Sequence, residues 1–270
     1  MSTDDSVPEK LIRDIKRFLE REREMYGDFY IDLPGMYPDE RAAREDQETQ
    51  SVSTASTRKN ADKGEREEAA SEPDTLPDRL ETCTTLEELE TLCREADMLK
   101  TDLQGTNLVF GVGNPDADLM LIGEAPGAEE DRLGEPFVGK AGQLLNKILS
   151  AIDFEREDVY IANILKHRPP NNRNPKPEER ERSLPFLLKQ IELVDPKLIL
   201  SLGKISAQTL LNSDDTLGNM RGTFHPFLDG RELLATYHPA ALLRNAKWKR
   251  PTWEDVQKLR RRYDELGCTP

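Results

Sequence analysis

The chain has 270 residues, 33% charged and 36% apolar, with a net charge of −14 and a pI near 4.9. That length suits one ordinary domain plus an appendage, and such acidity excludes diffuse attraction to nucleic acid, so a DNA site would have to rest on local basic patches. No apolar run reaches the ~18 residues of a membrane span, the acidic start MSTDDSVPEK has no apolar secretory core, and three scattered cysteines, Cys83, Cys93 and Cys268, suit a reducing compartment, so a cytoplasmic protein without a membrane anchor is expected.

Residues 1–36 read as an N-terminal amphipathic segment. Leu11, Ile12, Ile15, Phe18 and Leu19 recur at helical spacing within a helix over 8–26. Residues 37–80 form an acidic linker with almost no large apolar side chain, a composition that does not offset the entropy of ordering and predicts disorder. Residues 1–80 together carry 21 acidic and 13 basic side chains. The helix on this tether either docks on the main domain, stays nascent, or binds the groove of a partner protein.

Over 81–266 the pattern is that of one domain. It predicts a helix over 85–99, a strand Asp118–Gly123, a helix over 141–152 and a strand Val159–Ala162. A helix over 177–194, bent at Pro185, leads to a strand Leu198–Leu202 and a helix over 204–212. Asp229-Gly230 then marks a hairpin turn ahead of a strand Glu232–Tyr237. Thr252 with Asp255 reads as a capping box that opens a last helix to about Glu265. Strands alternating with helices predict an α/β fold, a parallel sheet with helices on both faces.

Ligands of such sheets bind beyond the carboxyl ends of the strands, where three polar loops fall, 123–139, 163–176 and 238–250. In the first, Gly123 and Gly127 let the backbone approach a planar ligand. Glu124, Glu129, Glu130 and Asp131 concentrate acid, and Phe137 offers a face to a base. The same composition also fits a solvated acidic loop whose Phe caps the core. In the second, Asn163 at a strand end presents one donor and one acceptor in a fixed fork. That pair matches the O4 and N3–H edge of uracil and mismatches cytosine. Lys166, Arg168 and Arg173 on a Pro-stiffened loop suit phosphates, although a turn Asn beside a solvated basic loop fits equally well. In the third, His238 is fixed between a strand and Pro239 and can donate to a developing oxyanion, or be merely structural. Leu242 and Leu243, beside Arg244, can wedge into a base stack. Over 244–262 eight basic residues face only Glu254 and Asp255, a local reversal of the chain's charge.

GEAPGAEEDRLGEPFVG, VYIANILK with RPPNNRNP, and YHPAALLR occur in this order. Together with LLKQIELVDPKLILSLG they closely resemble the family 4 uracil-DNA glycosylases over roughly residues 95–262. The resemblance implies a four-stranded parallel sheet flanked by helices on both faces, a three-layer α/β/α domain. It also implies a monofunctional enzyme of base excision repair, a monomer acting on uracil-containing DNA. Such an enzyme flips the nucleotide out of the stack and hydrolyses its N-glycosidic bond, leaving an abasic site.

Carried over by position, Phe137 would stack on uracil, Asn163 would read its edge, and Gly123 and Ala125 would line the pocket. His238 would stabilise the negative O2. Glu124 and Glu130 would be the catalytic acids, one of them orienting water or the oxocarbenium-like sugar. Ala125 stands where better-known glycosylases carry a water-activating Asp or Asn. Leu242 would fill the gap left by the flipped base, and Lys166, Arg168, Arg173 and Arg244 would meet phosphates. Family members also hold a [4Fe–4S] cluster on four cysteines, but the matching positions here are Ala96, Leu99, His167 and Ser183. Clusters need thiolates, so no cluster and no metal are expected. A glycosylase of shifted base preference and a non-catalytic DNA-binding module are the competing readings.

Overall fold

The computed structural model describes residues 75–269. The N-terminal segment 1–36, and the linker up to residue 74, lie outside the described residues. Helix α1 (Leu76–Thr82) starts on Thr75, whose hydroxyl accepts from the Asp78 amide, with Pro77 in the first turn. Leu76 and Leu80 already pack into an apolar cluster, so the folded unit begins inside the stretch assigned to the linker. Helix α2 (Leu86–Glu95) opens on a capping box of Thr85 and Glu88, and a 3₁₀ turn at Asp97–Leu99 follows it.

Strands β1 (Val112–Gly113), β2 (Leu119–Gly123), β3 (Tyr160–Asn163), β4 (Leu198–Leu202), β5 (Phe224–Phe227) and β6 (Arg231–Thr236) make one sheet, in the order β1-β3-β2-β4-β6-β5. The four middle strands pair in parallel, and β1 and β5 add antiparallel edges. The expected four-stranded parallel sheet is therefore the centre of a mixed sheet of six. The edges carry little signal in the sequence. Strand β1 has two residues, and β5 reads FHPF with Pro226, which lacks the N–H a central strand needs.

Helices cover both faces. On one side Leu145 and Leu149 of α4 (Lys140–Ser150) and Val256, Leu259 and Tyr263 of α9 (Lys249–Glu265) pack on Leu119, Leu121, Ile161, Leu200 and Leu234. On the other, Leu184, Leu187 and Ile191 of α5 (Pro177–Val194) and Ala207 of α6 (Lys204–Leu211) pack on Met120, Ile122, Ala162, Ile199 and Leu233. Alternate residues of each strand thus feed opposite cores, as both-sided burial of a parallel sheet requires.

Short helices α3 (Ala128–Leu133), α7 (Leu217–Met220) and α8 (Pro239–Arg244) occupy connections, and α3 and α8 fall in stretches read as loops. The last helix begins at Lys249, ahead of the expected start, so Thr252 and Asp255 form no capping box. The Thr252 hydroxyl instead donates to the Trp248 carbonyl, and the Asp255 carboxylate accepts from Arg221 and Thr236. Among the described residues no helix is long and apolar enough to cross a membrane.

Candidate active site

The parallel register of β2 and β3 sets Gly123 beside Asn163. The Ile164 and Leu165 amides donate to the carbonyls of Gly123 (3.0 Å) and Glu124 (3.1 Å), so the first two loops leave the sheet in step. A Cβ on Gly123 would lie 2.3 Å from Asn163 Oδ1 and 2.6 Å from Phe137 Cζ; only a glycine admits both side chains. Asn163 is 2% exposed, and its Oδ1 has no hydrogen-bond partner among the described residues. Leaving a buried acceptor unpaired costs ~1–3 kcal/mol, and an incoming N–H would remove that cost.

Phe137 has a φ of 55°, strained for a residue with a side chain. The turn is braced from both sides. Glu130 Oε1 accepts from the amides of Val138 (3.0 Å) and Gly139 (2.9 Å), and the Arg156 guanidinium donates to the Pro136 and Phe137 carbonyls. Gly142 is required as well, since its Cβ would sit 1.7 Å from the Phe137 carbonyl oxygen. Glu130, expected among the catalytic acids, thus spends Oε1 on holding the Phe137 turn.

The Phe137 ring lies 5.4 Å from the His238 ring at 30°. His238 follows β6 and caps α8: its Nδ1 accepts from the Ala240 amide at 3.1 Å. That bond places the proton on Nε2. Burial, with Arg244 adding to it, pulls the His238 pKa down to about 4, so the imidazole is neutral near pH 7 and offers a Nε2–H donor. Glu124 moves the other way: burial raises its pKa to about 7, opposed by Arg180. Ala125 packs against the core. The loops after β2, β3 and β6 thus bring together a flat apolar face, an orphaned acceptor and a neutral imidazole donor, and Glu124, next to Gly123, adds a buried carboxyl balanced between its two forms.

The residues expected to meet DNA divide. Lys166 is a correction: it is 0% exposed, with Nζ donating to the carbonyls of Phe110 (3.1 Å) and Asn163 (3.2 Å) and to Gln190 Oε1, so it does not reach a phosphate. Arg173 is bidentate on Glu179 (2.8 and 2.6 Å) and touches Asp102 (3.2 Å), which commits its charge internally. Arg168 is half-buried and bonded to Asn172 at 2.7 Å. In α8 the helical turn inverts the two leucines: Leu242 is 2% exposed and Leu243 54%, so Leu243, not Leu242, is available as a wedge. Arg244 is exposed, as are Lys247, Lys249 and Arg250. The basic run splits after that. Arg262 is held by Glu232, Arg260 lies over Phe154 (4.8 Å), and Lys258 donates to the Gly222 carbonyl.

The four positions matched to cluster ligands do not fit an iron–sulfur group. Leu99 is buried in an apolar cluster against which Ala96 packs. His167 Nδ1 is engaged by Thr106 Oγ1 at 3.0 Å, and Ser183 Oγ donates to the Ile164 carbonyl at 2.6 Å. Cys83 and Cys93 are buried in that apolar cluster, and Cys268 in another core. Among the described residues no group of three or more His, Cys, Asp or Glu side chains is arranged to hold a metal.

Sequence reasoning missed Arg156, Gly142, Gln190 and the Arg221–Asp255 pair. Arg156, Gln190 and the Arg221–Asp255 pair act through partners 19 or more residues away, so local spacing carries no trace of them, and Gly142 matters only because the Phe137 turn folds back onto it. The model of the uracil DNA glycosylase superfamily matches residues 110–259, more than half of the chain. A type-4 uracil-DNA glycosylase of Archaeoglobus fulgidus is 43% identical over 174 residues, covering 62% of this chain and 86% of that protein. One from Thermotoga maritima is 42% identical over 161 residues, 58% of this chain and 84% of that protein. A type-5 uracil-DNA glycosylase of Thermus thermophilus is 30% identical over 149 residues, 48% and 68% respectively.

Proposed function

Since the chain belongs to the uracil DNA glycosylase superfamily, we propose that it flips uracil out of DNA and hydrolyses its N-glycosidic bond, leaving an abasic site for base excision repair. The observation that carries this reading is the orphaned Asn163 Oδ1 beside the Phe137 face. Uracil presents N3–H to such an acceptor; cytosine presents a lone pair there and is repelled. The base is sandwiched against Phe137, and the His238 Nε2–H donates to uracil O2.

As the C1′–N1 bond breaks, its electron pair moves onto uracil and C1′ becomes oxocarbenium-like. Water adds to C1′ and gives up a proton to solvent, and the uracil anion takes one up from solvent as it leaves. The imidazole keeps its own proton throughout, because burial disfavours a cationic ring before or after the step. Its contribution is a preorganised hydrogen bond to the developing anion, typically worth about 10²–10³ in rate. Glu124, when ionised, stabilises the sugar cation or orients the water, with Ala125 offering no acid to do so. Glu130 acts through the Phe137 turn it braces. Leu243 fills the vacated stack and the exposed bases from Arg244 to Arg250 hold the backbone. We also infer that the protein works without an iron–sulfur cluster or other metal and as a monomer.

Matched oligonucleotides carrying uracil, hypoxanthine or thymine, incubated with the protein in EDTA and then treated with alkali, test the reading. Strand breaks at uracil alone are expected. Alkali-labile sites at hypoxanthine or thymine but not uracil would overturn the substrate assignment, and none at any base would overturn the activity.

A further inference from the structure

The loop after β3, which carries Asn163, is held by side chains that the proposed chemistry does not use. Its carbonyls at Asn163, Ile164, Lys166 and Arg168 accept from the Lys166 Nζ (3.2 Å), Ser183 Oγ (2.6 Å), the Val109 amide (2.9 Å) and Thr101 Oγ1 (2.6 Å) respectively. Lys166 also donates to the Phe110 carbonyl and to Gln190, and Gln190 donates in turn to the same Phe110 carbonyl (3.2 Å) and to the Tyr160 hydroxyl (2.9 Å). All three acceptors of the ammonium are neutral. Burying a charge with no counter-charge costs stability even when hydrogen bonds soften the loss. The ammonium is therefore best understood by what it holds, the peptide of the residue whose side chain meets the base. Asn163 Oδ1 has no partner of its own among the described residues, so its aim depends on that peptide and on the contact with Gly123.

We propose that Lys166, seconded by Ser183, is a positioning residue for base recognition, fixing the end of β3 so that Asn163 Oδ1 stays aimed at the flipped base without a cluster. The proposal rests on the uracil reading given above. It also gives a use to Ser183, a position matched to a cluster ligand, whose oxygen is spent on the neighbouring Ile164 carbonyl. A bond network of this kind transmits to the site through backbone displacement, so its loss should appear in the chemical step and leave phosphate contacts alone.

The test uses the full chain with Lys166→Met, which keeps the length and removes the donors, and Ser183→Ala, each alone and combined with Asn163→Ala. Single-turnover excision of uracil is measured with saturating protein, alongside DNA affinity at several salt concentrations. Lys166→Met should slow excision by roughly tenfold to a hundredfold, the scale of an ångström-sized misplacement, with unchanged affinity and salt slope. In the Asn163→Ala background that loss should vanish. Ser183→Ala should show a smaller loss of the same signature, rescued by Ser183→Thr, and it decides the matter if Lys166→Met does not fold. Wild-type rates in the folded variants, a loss that persists undiminished without the Asn163 amide, or a loss confined to affinity with a flatter salt slope would each overturn the proposal. Wild-type protein inactive on uracil would instead bring down the functional reading, and this proposal with it.

Discussion

Gly123→Ala is the sharpest test of the pocket, because the structure sets its size. The added Cβ would stand 2.3 Å from Asn163 Oδ1 and 2.6 Å from Phe137 Cζ, where ordinary contact begins near 3.4 Å, so the two groups must retreat by about 1.1 and 0.8 Å. Gly123 is outside the left-handed region, so alanine meets no backbone penalty, and the whole effect falls on its two neighbours. Neither moves freely. Asn163 sits on a fully buried strand end, and the Phe137 turn is clamped by Glu130 and Arg156. Overpacking of this kind costs ~1–3 kcal/mol of stability, visible in a thermal melt but short of unfolding. A displacement near 1 Å at the recognition edge costs about 10²-fold in rate, equivalent to ~2.7 kcal/mol of transition-state stabilisation. The assay is single-turnover excision of uracil at saturating protein. Gly218→Ala, whose Cβ meets only Thr216 Oγ1 at 3.7 Å, serves as control. A folded Gly123→Ala protein within about threefold of the wild-type rate would refute the reasoning, because the pocket would then not be built on this contact.

Four further outcomes are expected. With the Glu124 pKa raised to about 7 and its carboxylate the working form, excision should rise with pH through about 7, and Glu124→Gln should remove that limb; a profile unchanged by the substitution would clear Glu124 of the role. His238, held at about 4, is neutral on both sides of pH 7, so its loss by protonation should appear only on the acid side near 4, and His238→Ala should cost about 10²–10³ in rate; a drop confined to DNA binding would contradict this. DNA affinity should fall steeply with salt, each neutralised member of Arg244, Lys247, Lys249 and Arg250 that contacts a phosphate lowering the log–log slope by about 0.9; a flat salt response would exclude that surface. Purified protein should carry no stoichiometric iron and be colourless, without the brown charge-transfer colour of a thiolate-held cluster, and Leu99→Asp should destabilise by several kcal/mol as a buried unpaired carboxylate would; brown, iron-containing protein would show that other ligands hold a cluster.

Much of the fold was written locally. The apolar runs at Leu119–Ile122 and Leu198–Leu202 and the helical spacing over 141–152 specify a two-sided parallel sheet, because burial of a strand or helix face needs only the order of its own residues. The three loops were legible for the same reason, since Asn163 and His238 stand at or just past strand ends, whereas the Phe137 turn is set by Glu130 and by Arg156 from further along the chain. What the sequence alone did not decide was which groups meet across it. Lys166 and Arg173 read as free bases until folding set carbonyls and carboxylates around them. Leu242 and Leu243 are indistinguishable as letters, and one turn of α8 against its neighbours buries the first and exposes the second. Asp255 matches a capping position by spacing, yet Arg221, 34 residues away, claims it. The protonation of His238 and Glu124 likewise belongs to tertiary structure, since desolvation depends on everything packed around a group and not on its neighbours in the chain.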